Sequence, residues 1–195
     1  MGNGAAYERD VATLVESELK KGNFGVDPAL ARVNRKPKYF SRDRNKDITF
    51  DVSMEVSRKA MTEPFWIWIW ECKNYGHTVP VDDVEEFHAK LSQVGADRTK
   101  GTMITPIGFD SGGVEFARSK GIGLWRWIPK GSIVSLMEDD RGPSDADVLR
   151  ALTIADTTCF RSYSDFYGLT CDGQFVIDQE KMISIEFADA KRNAE

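Results

Sequence analysis

Glu71 and Lys73 stand two residues apart at the end of the apolar run Pro64 to Trp70, so both project from one side of any strand they share. That side continues the row Ile67 and Ile69, while Trp68, Trp70 and Cys72 take the other. A carboxylate and an ammonium emerging beside buried apolar residues each need a partner. Upstream, Asp51 lies in the alternating segment Asp47 to Val56, on its polar side with Asp47 and Glu55. If the two segments pair, Asp51 comes near Glu71. Two carboxylates from neighbouring strands suit Mg²⁺, a hard cation that takes oxygen ligands and retains several waters. An ion so held polarises a phosphodiester and acidifies bound water, and a lysine beside it stabilises charge growing on phosphorus. The chemistry implied is metal-dependent phosphodiester hydrolysis. A plain ion pair at a strand end is the competing reading of Glu-x-Lys taken alone.

The elements that must position these groups are legible in the periodicity. Ala5 to Lys21 places Tyr7, Val11, Leu14, Val15 and Leu19 at helical spacing, with Gly22 and Gly25 following where helices end. Asp47 to Val56 alternates as a half-buried strand, with Ile48, Phe50, Val52, Met54 and Val56 on one face. The aromatic and β-branched run Phe65 to Tyr75 predicts a strand buried on both faces. A helix capped by Asp82 or Asp83 follows, with Val84, Phe87, Leu91 and Val94 inward and Gly95 at its end. Gly101–Ile107 and Ile122–Ile128 read as strands on either side of a short helix, Gly112–Lys120. Helix and strand alternating in this half predict parallel crossovers in a mixed sheet covered by helices. Beyond Pro129 the texture turns acidic and rich in turns, with a helix over Ala146–Ala155 and a hairpin around Asp172-Gly173. The expected division is a core over residues 1–130 and a C-terminal acidic appendage over 131–195.

Composition narrows the function classes. The 195 residues carry 41% hydrophobic and 29% charged residues, values of an ordinary globular chain and not of a disordered one. The net charge of −5 argues against nucleic-acid binding by bulk positive charge. The distribution of charge reopens that question. Residues 135–195 hold 13 acids and 6 bases, whereas Arg32 to Lys46 holds seven bases against Asp43 alone. Those seven, Arg32, Arg35, Lys36, Lys38, Arg42, Arg44 and Lys46, are candidate DNA contacts if the segment folds beside the acidic pair. The longest apolar run is far short of the roughly 18 residues of a membrane span. The first residues lack a signal peptide's basic and apolar regions, so a cytoplasmic location is expected. Cys72, Cys159 and Cys171 form no framework and are read as free thiols.

Asp51, the step to Glu71, and Glu71-Cys72-Lys73 resemble the D…E-x-K signature of the PD-(D/E)xK nucleases, in particular their Mrr-like restriction endonuclease branch. The strings FDVSMEV, WECKNY, DDVEEFHAKLSQVGA, KGTMIT and GFDSGGVEFARSKGI are similar to the same branch, and the likeness covers roughly residues 4–128. Phe50 stands where the family name puts proline. The resemblance implies an α/β fold with a restriction-endonuclease-like core: helix, three strands, helix, strand, with a mixed central sheet flanked by helices. It implies a Mg²⁺-dependent endodeoxyribonuclease of restriction, defence or repair, with Mn²⁺ able to substitute. Asp51, Glu71 and Lys73 are then the catalytic set. Asp51, Glu71 and the backbone carbonyl of Cys72 would hold metal, with Glu8 on the first helix the candidate to complete the site. Cutting both strands of a duplex calls for two sites, hence a homodimer or a larger defence assembly. A nuclease-fold protein that binds nucleic acid or a protein without cutting is the alternative.

Several residues carry milder readings. Asp47 competes with Asp51, which the resemblance favours; Glu55 reads as a surface charge, and Gln93 as an exposed helix residue within possible reach of the site. Trp66, Trp68 and Trp70 could stack on bases but read as core or interface. His77 and His88 accompany no nucleophile-elbow serine or cysteine, so a hydrolytic triad is excluded.

Overall fold

The computed structural model describes residues 4–59, 63–95, 97–129, 166–169 and 175–176. Chain order gives α1 (Gly4–Lys20), a single 3-10 turn (Pro28–Leu30), β1 (Ala31–Arg35), β2 (Lys38–Ser41), β3 (Lys46–Thr49), β4 (Val52–Ser57) and β5 (Pro64–Cys72). There follow α2 (Val81–Gly95), β6 (Thr99–Thr105), α3 (Ser111–Lys120), β7 (Gly123–Trp127), β8 (Phe166–Leu169) and β9 (Phe175–Val176). The main sheet runs β1-β4-β5-β6-β7-β8-β9. It is antiparallel from β1 to β5, parallel through β5, β6 and β7, and antiparallel again at β8 and β9. The mixed α/β architecture is the one the alternating elements predict. Because β5, β6 and β7 are parallel, α2 and α3 must cross over between them, and both lie on one face of the sheet.

Period-2 side chains divide β5 between two apolar layers. Trp66, Trp68 and Trp70 join Tyr7, Val11, Val15 and Leu19 of α1, with Val52, Met54, Val56, Trp125 and Trp127, on one face. Ile67 and Ile69 join Val84, Phe87 and Leu91 of α2, with Val114 and Ala117 of α3, on the other. The tryptophan stripe is therefore core: Trp68 and Trp70 have no exposed surface, and their rings stack at 4.8 Å. Tyr7 ties α1 to the sheet by donating its hydroxyl to the Trp127 carbonyl at 2.9 Å.

Helix α2 lies close to the sheet over Gly101 of β6. A methyl group there would collide with Leu91 Cδ1 and the Phe87 ring. Gly101→Ala is expected to overpack this contact and lower stability by about 1–3 kcal/mol, read as a lowered midpoint of urea unfolding.

Two local expectations need correction. The segment Asp47 to Val56 is not one strand but β3 and β4, broken at Phe50 and Asp51. Every apolar residue of the alternation is buried, yet Ile48 and Phe50 belong to the α2 layer and Val52, Met54 and Val56 to the α1 layer. Across the break the buried side chains change from one face of the sheet to the other, so the same period serves two opposite faces. The basic stretch forms β1, an edge strand beside β4, and then β2, which with β3 makes a separate two-stranded hairpin. Finally, the N-terminus of α2 is capped by neither Asp82 nor Asp83. Asp110 accepts from Val81 N–H and from Gly113 N–H, so one carboxylate serves the first turns of both α2 and α3.

Strands β8 and β9 pair with each other and extend the sheet beyond β7, consistent with a hairpin. The turn at Asp172-Gly173 and the expected helix over Ala146–Ala155 lie outside the described residues.

Candidate active site

Antiparallel pairing fixes the site. Val52 opposes Trp70, so the start of β4 and the end of β5 meet at one end of the sheet, and Asp51 and Glu71 flank that pair. Asp51 sits in the break between β3 and β4, where its backbone leaves the ladder and its side chain turns toward β5. Asp51 Oδ2 accepts from the Cys72 N–H at 2.8 Å. The D and E-x-K parts of the motif are thus joined by a direct hydrogen bond.

Glu71 is 8% exposed. Its Oε1 lies 3.5 Å from Lys90 Nζ and 4.0 Å from Lys73 Nζ. Its Oε2 is buried and has no hydrogen-bond partner among the described residues. Burial, and then the charge of Asp51, raise the Glu71 pKa although Lys90 and Lys73 oppose the shift. An acceptor left without a donor is costly in a protein interior, and a hard oxygen of this kind fits a cation ligand. Glu71→Gln keeps the shape and removes the buried charge, while Lys73 and Lys90 retain Asp83 and Glu86. In metal-free protein the substitution is expected to stabilise, because burial and the charge of Asp51 oppose the ionised carboxylate. Calorimetry would then record a higher melting temperature.

Lys73 lies just past β5 and reaches α2. It bonds Asp83 Oδ1 at 3.0 Å and lies 5.7 Å from the Tyr75 ring centroid. Burial works against its charge, but the Asp83 hydrogen bond and the nearby carboxylates hold its pKa above the usual lysine value. Lys90, absent from the sequence expectations, bridges Glu71 and Glu86 from α2. Its signal was a lysine on the inward side of an amphipathic helix, one residue before buried Leu91, and an i,i+4 glutamate partner hid it as a surface pair. The Cys72 thiol is half-buried and its pKa lies well above normal, through burial and then Asp51, Glu71 and Glu8.

Glu8 and Lys36 complete the cluster. Lys36 Nζ lies 2.6 Å from Asp51 Oδ1 and 2.8 Å from Glu8 Oε2, so Glu8 reaches the site through this lysine. Lys36, itself exposed, thus ends between two acids, whereas Arg32, Arg35, Lys38, Arg42, Arg44 and Lys46 are exposed on β1 and the hairpin with no acid of the cluster as partner among the described ion pairs. Lys36 N–H donates to the Asp51 carbonyl, and Phe50 N–H to the Pro37 carbonyl, so the basic hairpin leaves and rejoins the sheet at the mouth of the site. Tyr39 pins it by donating to Ser53 or Glu55, at 2.8 and 2.7 Å, and Ser41 by donating to Gln93 at 2.9 Å.

Other candidates lie outside the cluster. Asp47 is exposed on β3 opposite Phe40, Glu55 partners Tyr39, and Gln93 bonds the hairpin. His77 is exposed, and His88 packs edge-on against Phe116. Among the described residues no three His, Cys, Asp or Glu groups stand in a ligating arrangement, and lysines stand between the acids. No described helix is long and apolar enough to cross a membrane.

The chain matches a crystal structure described as a protein of unknown function, AF1548, at 14% identity and a TM-score of 0.44. The match covers 60% of this chain and 56% of that one, so this chain spans little more than half of that structure's length. No curated protein matches. The Mrr catalytic-domain model, described as restriction endonuclease, matches residues 9–127, starting immediately after Glu8 and spanning more than half of the chain. Family match, mixed sheet and joined D…E-x-K residues agree, and the chain belongs to the Mrr-like restriction endonucleases.

Proposed function

We propose that the chain is a divalent-metal-dependent endodeoxyribonuclease in which Asp51, Glu71 and the Cys72 carbonyl hold the ion and Glu8 completes its surroundings. The observation that carries this reading is the 2.8 Å hydrogen bond from Cys72 N–H to Asp51, which brings a buried glutamate and an aspartate to one strand end. Mg²⁺ or Mn²⁺ bound there would polarise the phosphodiester and acidify a coordinated water. The protein supplies the rest. Asp83 holds the Lys73 ammonium charged and oriented, so that it can align the attacking water or neutralise the phosphorane. Lys90 tempers the charge of Glu71 without removing its free oxygen. Burial around Glu71 lowers the local dielectric and strengthens each of these interactions.

Phosphate binding falls to the basic hairpin. Arg42, Arg44, Lys38 and Lys46 are exposed, and Phe40 is 56% exposed among them. Removing Arg42 and Arg44 together is expected to weaken duplex binding without regard to sequence. Each lost phosphate contact should flatten the log–log salt dependence by about 0.9. Fluorescence anisotropy at a series of salt concentrations measures that slope, and an unchanged slope would remove the hairpin from the interface. Cutting both strands takes two sites, which places the chain in a homodimer or a larger restriction, defence or repair assembly.

The test is conversion of supercoiled plasmid to nicked or linear DNA by the full chain in Mg²⁺, in Mn²⁺ and in EDTA. Cleavage with either metal and none in EDTA supports the reading. Cleavage that persists in EDTA, or no cleavage with either metal, counts against it.

A further inference from the structure

Lys36 has no place in the D…E-x-K motif, yet it makes the shortest ion pair of the cluster. Its ammonium lies between Asp51 Oδ1 and Glu8 Oε2, at 2.6 and 2.8 Å, with those two side chains only 14% and 18% exposed. Its backbone N–H donates to the carbonyl of the same Asp51 at 2.9 Å. Its φ of 51° lies in the left-handed region, which a lysine occupies at an energetic cost and which surrounding contacts must enforce. The chain is bent at this point, and the bend brings a cation to a pair of carboxylates.

Charge balance indicates what the cation does there. Glu8 and Asp51 share Lys36, while Glu71, Asp83 and Glu86 share Lys73 and Lys90. Lys36 is thus the one ammonium within salt-bridge distance of Glu8 and Asp51 among the described ion pairs of this cluster, and its withdrawal exposes both carboxylates to an entering cation. Without Lys36 the acids of α1 and of the strand break would face each other with no counter-charge. Yet the Lys36 side chain is 52% exposed, so this ion pair stands at the protein surface and not in its interior.

We propose that Lys36 is a tethered counter-ion that fills the cation position between Glu8 and Asp51 in the metal-free protein and yields it to the divalent ion. The proposal rests on the reading of Asp51 as a metal ligand. Metal entry then releases an ammonium at the base of the basic hairpin, where a DNA phosphate would lie. Lys36 thereby keeps the acidic pocket neutralised until metal arrives and becomes a phosphate-facing charge afterwards.

Isothermal titration calorimetry of Mg²⁺ and of Mn²⁺ into the full chain, without DNA, tests this. Lys36→Met is expected to bind either ion about three- to tenfold more tightly than wild type, the modest size expected of a pair screened by water. Its metal-free melting temperature should fall, and the rise on adding Mg²⁺ should exceed that of wild type. Lys36→Arg keeps the charge and should bind metal no more tightly than wild type, which leaves a result in hand if the Met variant does not fold. Asp51→Asn separates the two readings. Loss of metal binding in Asp51→Asn with unchanged or weaker binding in Lys36→Met overturns the counter-ion role and leaves the metal site standing. An arginine variant that tightens binding as much as the Met variant also overturns it. Wild-type metal binding in Asp51→Asn removes both the metal reading and the proposal built on it.

Discussion

Asp51→Asn and Glu71→Gln are each expected to lower the single-turnover rate of DNA cleavage by about 10³-fold or more, the scale lost when one electrostatic support of a transition state is removed. Both changes keep side-chain volume. In Asp51→Asn the amide carbonyl can still accept from the Cys72 N–H, and in Glu71→Gln the new side chain still fills the buried position, so neither should unfold the chain. Negative charge is lost in both, and with it the attraction for a divalent ion, and Asp51→Asn also takes from Lys36 its acceptor at 2.6 Å. Lys73→Met is expected to leave metal binding in place and to lower kcat with little change in KM, since its amine is held by Asp83 and not by the ion's carboxylates alone. Rates within about tenfold of wild type in both carboxylate variants would remove this cluster as the site of hydrolysis. Because Glu71→Gln is also expected to raise the metal-free melting temperature, one substitution should move stability and activity in opposite directions, as strain held for function requires.

The largest structural effect is expected at Trp68. Its ring stacks on Trp70 at 4.8 Å, meets Phe24 and Trp125 edge-on at 5.4 and 6.1 Å, and donates from Nε1 to Thr102 Oγ1 at 2.9 Å. Trp68→Ala would open a cavity where α1, β5 and β7 meet and would leave the buried Thr102 hydroxyl without that donor. The expected loss is about 3–5 kcal/mol, a fall in melting temperature of about 10 °C or more. Trp68→Phe should lose less, because most of the ring contact survives. Differential scanning calorimetry on both variants measures the difference. A melting temperature unchanged in Trp68→Ala would contradict the reading of this stripe as core. Because Trp68 lies on the strand that carries Glu71, loss of its packing should also loosen the site, so the Ala variant should lose cleavage before it unfolds.

Local periodicity is enough to mark the parts of the molecule that repeat along one element. Helical spacing marks α1 and α2, alternation marks the buried residues of β3 and β4, and the order of elements in the second half implies parallel crossovers. A two-residue step is enough to put Glu71 and Lys73 on one side of β5, with Trp68 and Trp70 on the other. Burial along one element imposes these patterns, so each element carries its own signal.

Which charges meet follows only from the folded arrangement. The break at Phe50 and Asp51 sends one alternating segment to two faces of the sheet, a change the period cannot register because both halves bury the same kind of side chain. Lys36 reads as one base among seven, and only the antiparallel pairing of β1 with β4, closed by the Lys36–Asp51 backbone bond, sets it between Asp51 and Glu8. Lys90 and Asp110 find their partners in the same way, across chain separations that no local pattern spans. A charge is stabilised by whatever stands within a few ångströms of it, and that neighbourhood exists only once strand register and helix crossings are complete.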